Sequence, residues 1–165
     1  MGHRTTISGH IQEAWYVIGT GGNEDPQLKR IREMNDAAIA SLSELPGSSH
    51  LSSEIFGSCR YDTKNTYRGR VFHLGTSINS LWDLDSDAAE WLNEFESLLR
   101  KMCWESAELL VSTEYMGHYH YLWGVSKESA ERFGENPPVP AESWSFRQDE
   151  INSLTSSSPD AQPKT

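Results

Sequence analysis

The most regular pattern of hydrophobic positions in the chain lies between residues 87 and 102, where apolar side chains recur every three or four residues. This spacing predicts an amphipathic α-helix. Its apolar stripe consists of Ala88, Trp91, Leu92, Phe95, Leu98, Leu99 and Met102. Asp87 followed by Glu90 forms a capping box, so we expect the helix to run from about Asp87 to Met102. The first half is also crowded with carboxylates, which predicts a negative outer surface: Asp83, Asp85, Asp87, Glu90, Glu94 and Glu96.

Two further elements are predicted in the first 47 residues. Alternating polarity over residues 5–18, with Ile7, Ile11 and Trp15 on one side, indicates a strand that ends at the glycine cluster of residues 19–22. Asp25 and Pro26 then suit the N-cap and the first position of a helix. That helix is expected to end at residues 46–47, a Pro-Gly pair, and its apolar stripe consists of Leu28, Ile31, Ala38, Leu42 and Leu45.

The remaining regular segments are strand-like. Residues 53–61 and 67–74 flank a polar turn of hairpin length, so we expect them to pair antiparallel. Residues 108–115 and 119–125 indicate one long strand interrupted at Met116-Gly117, or two short strands joined there. The order strand, helix, strand, strand, helix, strand predicts an α+β fold. Its simplest form is a ferredoxin-like β-α-β-β-α-β sandwich, in which two helices cover one face of a four-stranded antiparallel sheet.

The character of the chain changes after residue 133. We expect residues 1–133 to form a single α+β domain and residues 134–165 to form a C-terminal extension. The extension begins with a Pro-containing linker over residues 134–140 and ends in a largely disordered polar tail. Trp144 and Phe146 lie between linker and tail, and docking on the domain suits them better than free exposure.

The net charge of the chain limits the classes of partner that it can bind. Its formal net charge is −10, which argues against direct binding to nucleic acid or acidic membranes, because phosphates are recognised mainly by Lys and Arg. No apolar run is long enough for a membrane span and no signal peptide is indicated, so a cytoplasmic location is expected. Cys59 and Cys103 lack the spacing of a zinc site and suit reduced, buried thiols.

Three histidines are the weak candidates for a metal site. His118 and His120 share one face of a predicted strand, and two such imidazoles can chelate a metal if a third ligand comes from a neighbouring strand. Because the first and last strands of the predicted sheet are adjacent, His10 should approach the pair, with Glu114 near the same row. The sequence offers no additional ligand at close spacing. We therefore predict no metal and no cofactor, with the imidazoles exposed or hydrogen-bonded.

Arg60, Arg68 and Arg70 form a small basic cluster that could bind a carboxylate or phosphate, since Arg makes planar bidentate pairs. Pairing with the acids of the chain itself is the simpler interpretation. The glycines of residues 19–22 are followed by Glu24 and Asp25, which would repel a phosphate. The sequence also contains neither GxSxG nor HExxH, and we predict no catalytic residue.

These observations favour a non-enzymatic acidic protein that binds a basic protein partner. The partner-binding residues we predict are Asp83, Asp85, Asp87, Glu90 and Glu94. By analogy, such a protein could be an immunity protein that neutralises a toxin, or an antagonist of a nucleic-acid-binding protein. Two alternatives stay open. One is a small-ligand or metal-dependent enzyme that uses His10, His118, His120 and Arg70 on an open sheet face, and the other is a structural subunit of a homo-oligomer.

Overall fold

The computed structural model describes residues 3–14, 26–44, 51–58, 70–79, 85–115, 117–126, 128–129 and 143–151. Two α-helices and six β-strands account for most of them. In chain order these elements are β1 (Arg4–Glu13), α1 (Pro26–Ala40), β2 (Phe56–Ser58), β3 (Val71–Asn79), α2 (Asp85–Leu99), β4 (Trp104–Thr113), β5 (Gly117–Val125) and β6 (Trp144–Ile151). Short 3-10 turns at Ser41–Glu44 and Ser53–Ile55 follow α1 and precede β2.

The strands form one six-stranded sheet in the order β2-β3-β1-β4-β5-β6. Every neighbouring pair is antiparallel. The fold is therefore α+β with two helices, as predicted, but the predicted four-stranded ferredoxin-like sandwich is not confirmed, because the sheet has two more strands.

The first additional strand arises because residues 104–125 form a hairpin, which agrees with the predicted alternative of two joined strands and not with that of one interrupted strand. Thr113 of β4 pairs with Gly117 of β5, so the chain reverses between them. Gly117 has a φ of 97°, a left-handed conformation that suits glycine and disfavours residues with a Cβ. This glycine is what allows the tight reversal.

The second additional strand is β6, which lies within the segment predicted as a C-terminal extension. It pairs along its whole length with β5, from Val125↔Trp144 to His118↔Ile151. Trp144 packs edge-on against Trp104 with ring centroids 5.1 Å apart, and Phe146 lies 5.3 Å from Trp123. The predicted linker over residues 134–140 and the tail from residue 153 lie outside the described residues.

Both helices cover the same face of the sheet, which we call the helix face. One continuous core joins the apolar stripe of α2 to inward-facing strand residues and to Ala38 and Leu42 at the end of the first helical segment. The fully buried members with the largest side chains are Trp91, Phe95, Leu98, Leu99, Met102, Trp104, Ile7, Ile11, Leu51, Leu109 and Val111. Burial of this apolar surface is the main stabilising contribution to the fold.

The helix bounds differ slightly from those predicted. The first helix begins at Pro26, as expected, but it ends as an α-helix at Ala40 and continues as a 3-10 turn to Glu44. The second begins at Asp85, two residues before the expected N-cap, so Asp87 lies in its first turn. Carboxylates are favourable there because the amino end of a helix carries a partial positive charge.

Gly9 lies where β1 passes closest to β4. A Cβ built at this position would lie 2.1 Å from the carbonyl oxygen of Glu108 and 2.8 Å from the Leu109 side chain. Because the first of these atoms is backbone in a central strand pair, it cannot move without disturbing the β1–β4 ladder. Glycine is therefore required at position 9 by the close approach of two strands.

We expect Gly9→Ala to lower the free energy of unfolding by about 2–3 kcal/mol, the cost of forcing an extra methyl group into a packed site. Urea unfolding followed by tryptophan fluorescence would measure the loss. The matched control is Gly75→Ala in β3, where an added Cβ meets no atom within 4 Å. Equal effects of the two substitutions would contradict the close approach.

Candidate functional site

The predicted acidic surface follows one side of α2. Asp87, Glu90 and Glu94 are separated by three and four residues, so they share a helix face that adjoins the buried stripe. Glu90 is exposed, whereas Asp87 and Glu94 are half-buried. Asp85 is the first residue of the helix, and Asp83 lies outside the described residues. Three of the five predicted partner-binding residues thus lie on one side of the same helix, and Glu90 is the exposed one among them.

Glu96 projects from a different part of the same helix. It accepts a hydrogen bond from the indole Nε1 of Trp123 at 3.0 Å and lies 3.6 Å from the guanidinium of Arg100. These two contacts occupy both of its carboxylate oxygens within the protein. Glu96 therefore ties α2 to β5 and is not equivalent to Glu90.

The opposite face of the sheet, which we call the open face, is covered by neither α1 nor α2. Strand register places His10 of β1, Glu108 of β4 and His120 of β5 on this face. The Nε2 atom of His120 lies 2.6 Å from Oε1 of Glu108, and the Nε2 atom of His10 lies 3.8 Å from Oε2. One carboxylate therefore stands between two imidazoles on three successive strands.

Two other histidines extend this row. His73 of β3 is directly across from His10, with ring centroids 6.5 Å apart. His118 lies two residues before His120 and pairs with Ser112. It is therefore on the same face as His120 but nearer the start of β5. The structure therefore brings His10 and His120 to one carboxylate and leaves His118 at the side.

The sequence analysis did not identify Glu108 as the carboxylate of this row and named Glu114 in its place. Glu114 instead accepts a hydrogen bond from the backbone N–H of Arg4 at 3.2 Å. The β1–β4 register, in which His10 is opposite Glu108, was the missing information. Among the described residues, no group of three or more His, Cys, Asp and Glu side chains could hold a metal ion.

Arg70 lies on the helix face, away from the histidines, and its guanidinium is engaged by acids of the chain. Its Nη2 atom donates to Oε1 of Glu13 at 3.2 Å, and its Nη1 atom lies 2.8 Å from Oδ1 of Asp36. The guanidinium also lies 4.4 Å from the centre of the Phe72 ring. Arg60 and Arg68, the other two predicted anion-binding residues, lie outside the described residues.

Glu13 is the centre of a buried polar network that the sequence analysis missed. Its side chain is 0% exposed, and it also accepts a hydrogen bond from Nδ2 of Asn35 at 3.0 Å. Asn35 in turn bonds to the backbone of Cys103 through both its oxygen, at 2.7 Å, and its nitrogen, at 3.0 Å. The network therefore joins the end of β1, the middle of α1, the start of β3 and the segment that precedes β4.

The thiol of Cys103 lies beside this network and is almost completely buried. Burial, and to a smaller extent the nearby Glu13 carboxylate, raises its pKa from 9.0 to about 11. Both effects disfavour the thiolate, which is the nucleophilic form. Cys103 is therefore a structural thiol with very little reactivity near neutral pH.

In the part of the chain that the structure describes, no helix combines the length and the apolar character needed to cross a membrane. Comparison of the chain with protein-family models, with curated proteins and with solved structures found no match.

Proposed function

We propose that this chain is a non-enzymatic binding protein whose acidic surface on α2 holds a basic protein partner. The observation that carries the proposal is the alignment of Asp87, Glu90 and Glu94 on one side of a helix whose apolar stripe is buried. A helix fixed in this way presents its carboxylates at constant spacing, so little ordering is needed when a cationic surface approaches. The net charge of −10 adds a long-range attraction for such a partner.

Carboxylates at this spacing can also occupy sites that a basic protein uses for phosphate. This property is why we extend the proposal to an immunity protein that neutralises a toxin, or to an antagonist of a nucleic-acid-binding protein. The proposal includes a cytoplasmic location, with neither a membrane nor nucleic acid as a direct partner. Asp83 and Asp85 are part of the proposed contact surface because they precede Asp87 by four and two residues in the sequence.

We also propose that the segment from β1 to β4 is a ferredoxin-like unit to which β5 and β6 are added. Support comes from the element order β1-α1-β2-β3-α2-β4 and from the place of β1 between β3 and β4. In this arrangement the two additional strands enlarge the sheet beyond β4 without changing the connections of the unit.

The enzyme alternative receives less support from the geometry. A carboxylate between His10 and His120 could transfer protons, but Arg70, the fourth residue of the predicted site, lies on the other face of the sheet. The histidines would therefore need an anion-binding group from elsewhere. The acidic surface on α2 requires no such addition.

The proposal is tested by reversing the charges of Asp87, Glu90 and Glu94 to Lys in one variant. Proteins captured from the source cell by the wild-type chain and lost with this variant would be purified, and their association rates measured. We expect the association rate at low ionic strength to fall by about tenfold or more, because electrostatic steering contributes on that scale. The difference should shrink as added salt screens the charges.

The matched control reverses Glu33, Glu54 and Glu128, which are exposed at other places on the chain. Both variants change the net charge by the same three steps of two units, from −10 to −4. A general charge effect would slow both equally, whereas a specific surface on α2 slows only the first. Association rates unchanged by the α2 reversal, or insensitive to salt, would exclude this surface.

A further inference from the structure

The strand β6 forms an edge of the sheet. It pairs with β5 on one side, and no described residue pairs with its other side. An edge strand of eight residues presents a row of unpaired N–H and C=O groups, which is a template for another strand. The side chains of this edge determine which strand can bind there.

The register with β5 assigns the side chains of β6 to the two faces of the sheet. Those on the open face are Ser145, Arg147, Asp149 and Ile151, and those on the helix face are Trp144, Phe146, Gln148 and Glu150. Arg147 and Asp149 therefore lie side by side on the open face, with Nε and Oδ2 2.9 Å apart and with side chains that are 67% and 46% exposed. The open face of β6 thus carries one cation followed by one anion, and the remaining charge of the strand, Glu150, is on the helix face.

We propose that a second copy of this chain binds at this edge, with β6 antiparallel to β6 of the other copy in a register centred on Gln148. A two-fold axis perpendicular to the sheet relates the copies, so each side chain lies opposite one that belongs to the same face. In this register Arg147 of each copy is opposite Asp149 of the other, which makes two ion pairs. Gln148 is opposite its own symmetry mate, and seven residues of each strand, 145–151, are paired.

The neighbouring registers are disfavoured by charge or by length. Centring the pair on Arg147 or on Asp149 places two like charges directly opposite each other, which is destabilising. Centring it on Phe146 pairs only five residues of each strand, 144–148, and leaves Asp149 without a cation opposite it. Self-complementary charge therefore selects both the occupant and the register.

The resulting assembly is a continuous twelve-stranded sheet in which the helices of both copies lie on the same side. Phe146, which is 53% exposed and stacks on Tyr121 at 6.4 Å, comes opposite Glu150 of the other copy. This pairing reduces the solvent exposure of the Phe146 ring at the edge of the sheet. The interface uses β6 alone, so the proposal does not depend on the acidic surface of α2.

The first test measures mass by sedimentation velocity at about 0.15 M salt, where repulsion between two chains of net charge −10 is screened beyond about 8 Å. We expect a species of twice the 18.6 kDa chain mass at micromolar concentration. Arg147→Asp or Asp149→Arg alone should weaken dimerisation by about tenfold or more, because each creates two like-charge pairs. The double variant, with the charges exchanged, should restore it to within about threefold of wild type.

A monomeric wild-type chain at all concentrations, or a double variant as weak as the single ones, would overturn the proposal. The second test places one cysteine on the edge, in a chain where Cys59 is replaced by Ser. Gln148→Cys should form a disulfide-linked dimer on oxidation, since opposite Cβ atoms in this register are about 5 Å apart. Glu150→Cys is the control, because its symmetry mate would be four residues away along the strand, and equal cross-linking of the two would exclude the register.

Discussion

Replacing Arg70 with Met should lower the free energy of unfolding by about 3–5 kcal/mol, although Met fills much of the same volume. The substitution leaves the Glu13 carboxylate, whose side chain is 0% exposed, without its closest cation. Arg32 approaches the second oxygen of Glu13 only to 4.0 Å and cannot replace the lost bonds without moving. Urea unfolding measured by circular dichroism would give the loss.

A double substitution distinguishes two contributions of Arg70 to stability, which are its pairing with the buried Glu13 charge and its packing. Glu13→Gln removes the charge and keeps an oxygen that can accept from Asn35. Arg70→Met should therefore cost markedly less in that background than in the wild type, a coupling expected for groups in direct contact. Lys29→Met is the control, because its pair with Glu33 is exposed and such pairs contribute about 1 kcal/mol or less. Equal losses from Arg70→Met in the two backgrounds would show that the Glu13 charge is not what Arg70 stabilises.

Truncation of Phe95 to Ala should be comparably severe, at about 3–5 kcal/mol. Phe95 is 0% exposed and lies between the Trp91 ring, 5.8 Å away, and the Trp123 ring, 5.2 Å away. Removing it leaves a cavity between α2 and the sheet at the point where the helix is fixed. The loss approaches the whole stability of many domains, so thermal unfolding should shift by many degrees.

The comparison for Phe95 is Asn93→Ala on the exposed side of the same helix, which should stay within about 0.5 kcal/mol of the wild type. The pair of substitutions also bears on the proposed binding surface, because Asp87, Glu90 and Glu94 are presented outward only if Phe95 faces inward. A thermal midpoint that hardly moves in Phe95→Ala would mean that the orientation of α2 is wrong.

The elements that sequence could predict are those whose burial is periodic. The stripe that includes Trp91, Phe95 and Leu98 faces one side throughout, and the helix face is built on it. The strand β6 lacks such a signal because it is an edge strand with largely exposed side chains on both faces. From sequence alone, this segment looks like a polar extension, because its two aromatic residues are followed by Arg, Gln, Asp and Glu. Only its pairing with β5 identifies it as a strand.

The candidate sites depend on register, which a single sequence does not specify. His10 and His120 could be assigned to one face from strand alternation, but the carboxylate between them follows from the pairing of His10 with Glu108. Glu13 did offer a signal, since it continues the inward-facing series of Ile7, Gly9 and Ile11. A charged residue at such a position indicates a buried partner, which the structure identifies as Arg70.

The central place of β1 also governs when the sheet can be completed during synthesis. Thr5 pairs with Ile78 on one side and with Thr113 on the other, so both partners of the first strand are made long after it. At about 5–20 residues per second, β4 follows β1 from the ribosome after roughly 5–20 s. The β4–β5 hairpin, by contrast, needs only neighbouring residues and can form at once. In a nascent chain the strand β1, with its apolar residues Ile7 and Ile11, therefore stays without its sheet partners for seconds after it is made.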